Sequence, residues 1–243
     1  MAENVSDERT GLDTGPADYV ALAVRGALGA VPFAGSLLAE LAGSVIPNQR
    51  VERIAKFAGA LDRRLAKLEC SFVRSQIVNE EFTDLVEEGL RQAARSLSDE
   101  RREYIASVIA GSLSPSDIEY QDSRHLLRLL GEVSDIEVIW LRFHMVPTLG
   151  GDEDFRNRHS SVLAPAVSTM GCPQKEHDRA ALQHSYKQHL TQLGLLQPRY
   201  HIQRHTQQPE YDSRTGAAEI AGYELSSLGR LFLREIGLAD EQE

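Results

Sequence analysis

The sequence has few cysteines and no excess of basic residues. These two features count against a disulfide-stabilised protein and against a nucleic-acid-binding protein. Cys70 and Cys172 stand far apart in a chain of 243 residues, so a disulfide framework is excluded and a reducing compartment is expected. Acidic side chains outnumber basic ones by 36 to 26, which gives a net charge of −10. Proteins that bind nucleic acid gain most of their affinity from cations on phosphates, and neither half of this chain has such an excess.

Long hydrophobic runs are also missing. No stretch of about 18 uninterrupted apolar residues occurs, so an ordinary membrane-spanning helix is not expected. Residues 1–16 are polar and carry acids where a secretory signal would be basic and then apolar. This stretch is predicted to be a disordered lead-in, and the protein is predicted to be cytoplasmic.

The common catalytic motifs are missing as well. The sequence contains no Walker A motif, no G-x-G-x-x-G and no G-x-S-x-G. The best metal-ligand candidates are Cys172, His177, His184 and His189. On a helix, His184 and His189 would diverge by roughly 140°, and the spacing matches no usual zinc pattern. The sequence therefore predicts a protein that is not an enzyme and holds neither metal nor cofactor.

The most unusual segment, residues 19–46, is apolar and rich in glycine and alanine. Pro32 near its middle predicts two short helices, over about 17–30 and 34–45, joined by a tight turn. One interpretation is an interaction hairpin that inserts into a membrane or a partner, marked by Arg25, Pro32, Phe33 and Glu40. The other is a helix pair buried in an N-terminal bundle. The buried pair is favoured over insertion, because Arg25 and Glu40 interrupt the apolar segment and each half is short. A hairpin that is buried at rest could still be released in an active state.

An apolar seam follows, with spacings that alternate between three and four residues. Its members are Val51, Ile54, Ala58, Leu61, Leu65, Leu68 and Phe72. The seam predicts one long heptad helix over 51–72 with one packed side and a basic solvent face. Further helices are predicted over 79–96, 98–112 and 116–131, and another begins at a capping box, Ser134 to Glu137.

The C-terminal part predicts a different arrangement. After a loop over 147–163 and a helix over about 174–193, the segments LLQPRYHIQR and EIAGYEL predict two strands of a hairpin, and a final helix closes the chain. This order resembles a winged-helix domain. The resemblance implies a recognition helix that ends at Leu193 and a wing at about 203–217. The candidate nucleic-acid contacts are then Lys187, Arg199, Arg204 and Arg214, although many winged-helix domains bind protein instead.

The pattern as a whole runs from the apolar start through IPNQRVERIAKFAGAL and LVEEGLRQAARSLSDERREYIASVIAG to the winged-helix-like end. It resembles the Abi-alpha group of uncharacterised bacterial helical proteins, which are associated with abortive infection, a defence against phage. The likeness covers about 17–238 in the order of elements. It consists of hydrophobic patterns and transfers no catalytic residue.

These patterns together predict a mainly α protein. A helical bundle over 17–113, with the apolar hairpin and the long heptad helix, precedes a winged-helix-like α+β domain over 116–238 with a small two-stranded hairpin. The leading functional hypothesis is a non-enzymatic bacterial interaction protein, a phage-defence component that acts by self-association or membrane disturbance. A winged-helix DNA-binding transcriptional regulator is the alternative. A protein partner or a second copy is expected first, a membrane through residues 19–46 second, and nucleic acid last.

Overall fold

The computed structural model describes residues 51–239, with gaps at 69, 77–78, 114–119, 148–150, 167–170, 204–207 and 214–215. The predicted apolar hairpin, with Arg25, Pro32, Phe33 and Glu40, lies outside the described residues. So do two of the candidate nucleic-acid contacts, Arg204 and Arg214.

The described part of the chain is mainly helical, with one small antiparallel hairpin near its C-terminal end, as the sequence predicted. The helices are α1 (Val51–Leu65), α2 (Cys70–Gln76), α3 (Glu80–Arg95), α4 (Asp99–Gly111), α5 (Tyr120–Glu132), α6 (Asp135–Phe143), α7 (Glu153–Arg158), α8 (Ser160–Leu163), α9 (Gln174–Gln192) and α10 (Ser227–Glu235). Strands β1 (Leu196–Tyr200) and β2 (Ile220–Leu225) form the hairpin, with Leu196 opposite Leu225. In this part of the chain, no helix is both long enough and apolar enough to span a bilayer.

The chain divides into two compact units between Arg102 and Glu103, inside α4. The division that the sequence predicted, at 113–116, lies further along the chain. In the first unit, α1 packs against α3. The side chains buried there include Ile54, Phe57, Leu61, Phe82, Leu85 and Leu90. Asn79 caps α3, since its side chain accepts hydrogen bonds from the backbone N–H groups of Glu81 and Phe82.

The prediction of one long helix over 51–72 is wrong, because α1 ends at Leu65. The N–H groups of Lys67 and Leu68 bond to carbonyl groups three residues back, at 3.2 and 2.9 Å, which tightens the chain into a turn. Phe72 then falls in the separate helix α2 and is 42% exposed. The part of the seam inside α1 is buried as predicted, from Ile54 to Leu65.

The second unit is built around α6, which packs against α8, α9 and α10. Its buried side chains include Val138, Trp140, Leu141, Leu190, Leu195, Phe232 and Ile236. The loop predicted over 147–163 is wrong in part, because it contains α7 and α8. α7 has six residues and α8 has four, none of them buried, and helices this short give no apolar periodicity that a sequence could show.

Candidate functional site

Glu137 joins two helices of the second unit. Its Oε2 accepts a hydrogen bond of 2.7 Å from the N–H of Ser134, and Ser134 Oγ accepts one from the N–H of Glu137, so the predicted capping box is confirmed. The other carboxylate oxygen lies 2.6 Å from His189 Nδ1 in α9. Glu137 is buried. One carboxylate therefore both caps α6 and ties α9 to it, and the sequence predicted only the capping.

Lys187 points its ammonium group inward from α9. Its Nζ lies 4.4 Å from the centre of the Trp140 ring and 6.0 Å from that of Tyr223, which are cation–π distances. Burial lowers the pKa of Lys187 below its ordinary value. Lys187 was a candidate nucleic-acid contact, but a charge held over Trp140 is directed away from a phosphate backbone outside. This position counts against that role.

His144 follows α6 and belongs to the same group of rings. Its ring centre lies 5.3 Å from that of Phe143 and 6.2 Å from that of Tyr223. Burial lowers the pKa of His144 to about 4, the charge of Lys187 acts in the same direction, and the nearby Tyr223 backbone partly offsets both. His144 is therefore neutral at pH 7. Burial also raises the pKa of Tyr223, which keeps its hydroxyl protonated.

Two arginines hold the segment that follows α6 against the C-terminal end of that helix. The Arg156 guanidinium lies 4.9 Å from the centre of the Phe143 ring, and Arg156 Nη2 donates to the carbonyl oxygen of Val146 at 2.9 Å. Arg142 Nη2 lies 2.7 Å from Asp152 Oδ2. Asp152 has a φ of 51°, a left-handed conformation that aspartate tolerates better than most residues. These contacts hold α7 against the end of α6, which is a structural role.

A thiol–imidazole pair stands at the start of α9. Cys172 Sγ and His177 Nε2 are 3.2 Å apart, so the structure brings together two of the four metal-ligand candidates. His189 is engaged with Glu137 instead. In the described ranges, no group of three or more His, Cys, Asp or Glu side chains is placed to hold a metal ion.

Beyond β1 and β2 the hairpin continues into a junction of three chain segments. The N–H of His201 donates to the carbonyl oxygen of Glu219 at 2.9 Å, that of Glu219 to Glu210 at 2.8 Å, and that of Glu210 to His201 at 2.8 Å. Two bridges flank this cycle, one between Ile202 and Pro209 and one between Tyr211 and Ala218. Hydrogen bonds therefore organise the backbone here, although no described residue from 199 to 221 is buried.

The junction carries an exposed apolar surface. Tyr200 is 42% exposed, Ile202 48%, Tyr211 59% and Ile220 41%. Tyr200 is directly opposite Ile220. Residues two apart in extended chain share a face, so these four side chains lie on one side together with Pro209 and Ala218. We call these six residues the distal hairpin face.

The distal hairpin face continues the core-facing side of the hairpin. At the base of the hairpin, Leu196 and its partner Leu225 are buried. Along β1, the same alternation that buries Leu196 leads through Pro198 to Tyr200 and Ile202. The apolar pattern of the core therefore extends past the point where the rest of the unit covers it. Sequence reasoning missed this surface, although the two-residue spacing of Tyr200 and Ile202 was its signal.

The candidate nucleic-acid contacts do not form one surface in the part of the chain that is described. Arg199 is exposed in β1, opposite Gly222, while Lys187 points inward over Trp140. In α9, Arg179 Nη2 donates to the carbonyl oxygen of Ser161 at 2.8 Å. A helix that reads DNA presents its cations to the groove and backbone, and two of the cations of α9 are turned to their own unit.

Comparison with known proteins gives no assignment, since no family model, no curated protein and no solved structure matches this chain. The function can therefore be inferred only from the residues of the chain itself.

Proposed function

We propose that this protein is a non-enzymatic interaction protein and that the distal hairpin face is a surface through which it binds another protein chain. The observation that carries the proposal is the exposure of Tyr200, Ile202, Tyr211 and Ile220 on one side of a hydrogen-bonded hairpin. Contiguous apolar patches on soluble proteins commonly mark interaction sites. Tyrosine is also enriched where proteins meet.

The chemistry of the face favours a protein as the ligand. Its six residues carry no formal charge, so it offers a phosphate group only the hydroxyl groups of two tyrosines and none of the cations that bind phosphate most strongly. An apolar and aromatic partner surface fits this face best.

The biological setting that we propose is bacterial defence against phage by abortive infection, through self-association or membrane disturbance. Its support is the resemblance in the order of elements and the apolar segment 19–46, with Arg25, Pro32, Phe33 and Glu40 as the marking residues. This part of the proposal is tested with protein that lacks residues 17–47. Loss of liposome flotation and of phage protection, with folding retained, would support it, and unchanged protection would contradict it.

A substitution pair tests the role of the hairpin. Tyr211→Glu places a charge on the distal hairpin face, and Leu182→Glu places the same charge at a leucine that is 55% exposed on α9. We expect in-cell chemical cross-linking to give complexes for the wild type and for Leu182→Glu, and to lose them for Tyr211→Glu. The proposal fails if the wild type gives no complex or if both variants behave alike.

DNA binding by a winged-helix-like domain is the second candidate. Exposed Arg199, on the strand that follows α9, is the observation in its favour. If this function holds, duplex DNA binds with an affinity that falls steeply with salt, and Arg199→Ala, Arg204→Ala and Arg214→Ala each weaken it. Absence of binding at low salt would exclude it.

A further inference from the structure

We infer that the partner of the distal hairpin face is a second copy of this chain, packed face to face as a symmetric dimer. The inference rests on the proposed function, because it names the occupant of the same surface. Three properties of the hairpin support it: its charge, its symmetry and its edges.

The distal hairpin face is uncharged, so two copies can meet there although each chain carries a net charge of −10. The six residues of the face are uncharged, so contact between two such faces buries no like charges. Glu210 and Glu219 are each one position removed from residues of the face, and alternation places them on the opposite side of the hairpin. The repulsion that remains is long-range and is screened by salt.

The distal hairpin face can pack against a copy of itself. In a two-fold dimer each contact occurs twice, with the two residues exchanged between the copies, so the face must fit itself. Tyr200 stands directly opposite Ile220. If the two-fold axis lies in the interface, parallel to the strands and midway between β1 and β2 in projection, Tyr200 of each copy packs on Ile220 of the other. Both contacts then pair an aromatic ring with a branched aliphatic side chain, which is a favourable combination between strands.

The edges of the hairpin favour packing through the face over addition of a further strand. Pro198 has no backbone N–H to donate, and the register is irregular between Arg199 and Tyr200. Both features disfavour hydrogen bonding of a further strand to the edge of the hairpin. The base of the hairpin packs on its own unit, since Leu196 and Leu225 are buried, but the distal part has no packed side, which leaves two-stranded structure only marginally stable. A second copy would supply a packed side for the distal part.

The size of the face predicts a weak dimer. Two tyrosines and two isoleucines exposed to 41–59% leave about 400 Å² of apolar surface per copy, on the scale of 150–250 Å² for a buried aromatic side chain. A standard interface takes about 800 Å² per partner. We therefore expect dissociation constants that are roughly micromolar or weaker, so that the dimer forms with rising concentration.

Sedimentation equilibrium on the full chain tests the inference. We expect a monomer–dimer equilibrium whose dissociation constant rises at least tenfold in Tyr211→Glu and Ile202→Glu and is unchanged in Leu182→Glu. Higher salt should tighten the wild-type dimer, since it screens the repulsion between two acidic chains. Thermal unfolding of each variant shows whether folding is retained.

Cross-linking tests the symmetry. In chains with Cys70→Ser and Cys172→Ser, a Tyr200→Cys chain is mixed with an Ile220→Cys chain and treated with a bis-maleimide of about 10 Å reach, the spacing of stacked sheets. We expect the mixed pair to cross-link faster than either chain alone.

The outcomes separate the two proposals. If the wild type remains monomeric at all concentrations while its face still captures a different protein in cells, the dimer is excluded and the proposed function stands. If neither occurs, both are excluded. A dimer that Tyr211→Glu and Ile202→Glu leave intact would also overturn the inference.

Discussion

Gly229 in α10 lies directly on the carbonyl group of Leu195, at the start of the hairpin. A Cβ atom built on Gly229 would be 2.2 Å from the Leu195 oxygen and 2.8 Å from Leu225 Cδ1. The first of these is a backbone atom, which cannot turn aside as the tip of a side chain can. The missing side chain therefore lets α10 close against the base of the hairpin.

We predict that Gly229→Ala destabilises the protein by about 2 kcal/mol or more, because the helix and the hairpin must separate. In an ordinary helix the same change stabilises by roughly 0.5–1 kcal/mol. Gly59→Ala in α1 is the matched control. A Cβ atom built on Gly59 would meet only the side chain of Arg63, whose Nη1 would be 3.7 Å away. Urea unfolding should give opposite signs for the two variants, and equal effects would contradict the close approach.

Ser226 makes a second link at the same place. Its Oγ accepts a hydrogen bond from the N–H of Gly229 at 2.9 Å and donates to the carbonyl oxygen of Gly194 at 2.6 Å. Ser226 and Gly229 are both buried, so Ser226→Ala leaves the N–H of Gly229 without its hydrogen-bond acceptor. We predict a loss of about 1–3 kcal/mol in the free energy of unfolding.

Ser227→Ala is the control for this variant, since Ser227 is the exposed neighbour. It should change the midpoint of urea unfolding little. If the two serine variants lose equal stability, the buried cap is not the cause.

Local signals in the sequence predicted the helix starts well. Ser134 caps the helix that the sequence predicted from its capping box, because the bonds of a cap join residues only two or three apart. Asn79 stood as the first residue of the helix predicted over 79–96, and the structure makes it the cap of α3 instead. The end of α1 was missed for a related reason. The spacing from Leu65 to Phe72 continues the apolar seam, and spacing alone does not show that the backbone turns at Lys67.

Contacts between distant residues could not be predicted. Lys187 has the character of a surface cation in the sequence of α9, and only the fold brings Trp140 under it. The junction of His201, Glu210 and Glu219 joins three segments through backbone groups, which leave no mark on side-chain patterns. Three members of its apolar face, Pro209, Tyr211 and Ala218, lie in the polar stretch that the sequence placed between the two predicted strands, which is why the face as a whole was missed.

His144 makes stability depend on pH. Its pKa is about 4 in the folded protein, against 6.5 for an ordinary histidine. Between these values the unfolded chain binds a proton that the folded protein does not, so stability falls as the pH falls from about 6.5 to 4. The full shift corresponds to about 3 kcal/mol.

We predict that His144→Phe flattens the curve of stability against pH between pH 6.5 and 4.

Asp99 makes stability depend on pH in a lower range, because its hydrogen bond with Arg102 lowers its pKa below 3.8. Its contribution is present above pH 3.8 and is lost at lower pH. Urea unfolding at a series of pH values distinguishes the two, and a slope between pH 6.5 and 4 that survives in His144→Phe would contradict the assignment.

Lys187→Met tests the cation over Trp140 while it keeps most of the apolar stem. We expect a loss of about 1 kcal/mol in stability and a change in the emission of Trp140, which is the single tryptophan of the chain. The pKa of His144 should rise, because the positive charge of Lys187 helps to lower it. Lys175→Met, at an exposed position in the first turn of α9, removes the same charge elsewhere and should alter neither signal. An unchanged His144 titration in Lys187→Met, followed by NMR, would mean that the ammonium does not lie beside these rings, and Lys187 would again be available as a nucleic-acid contact.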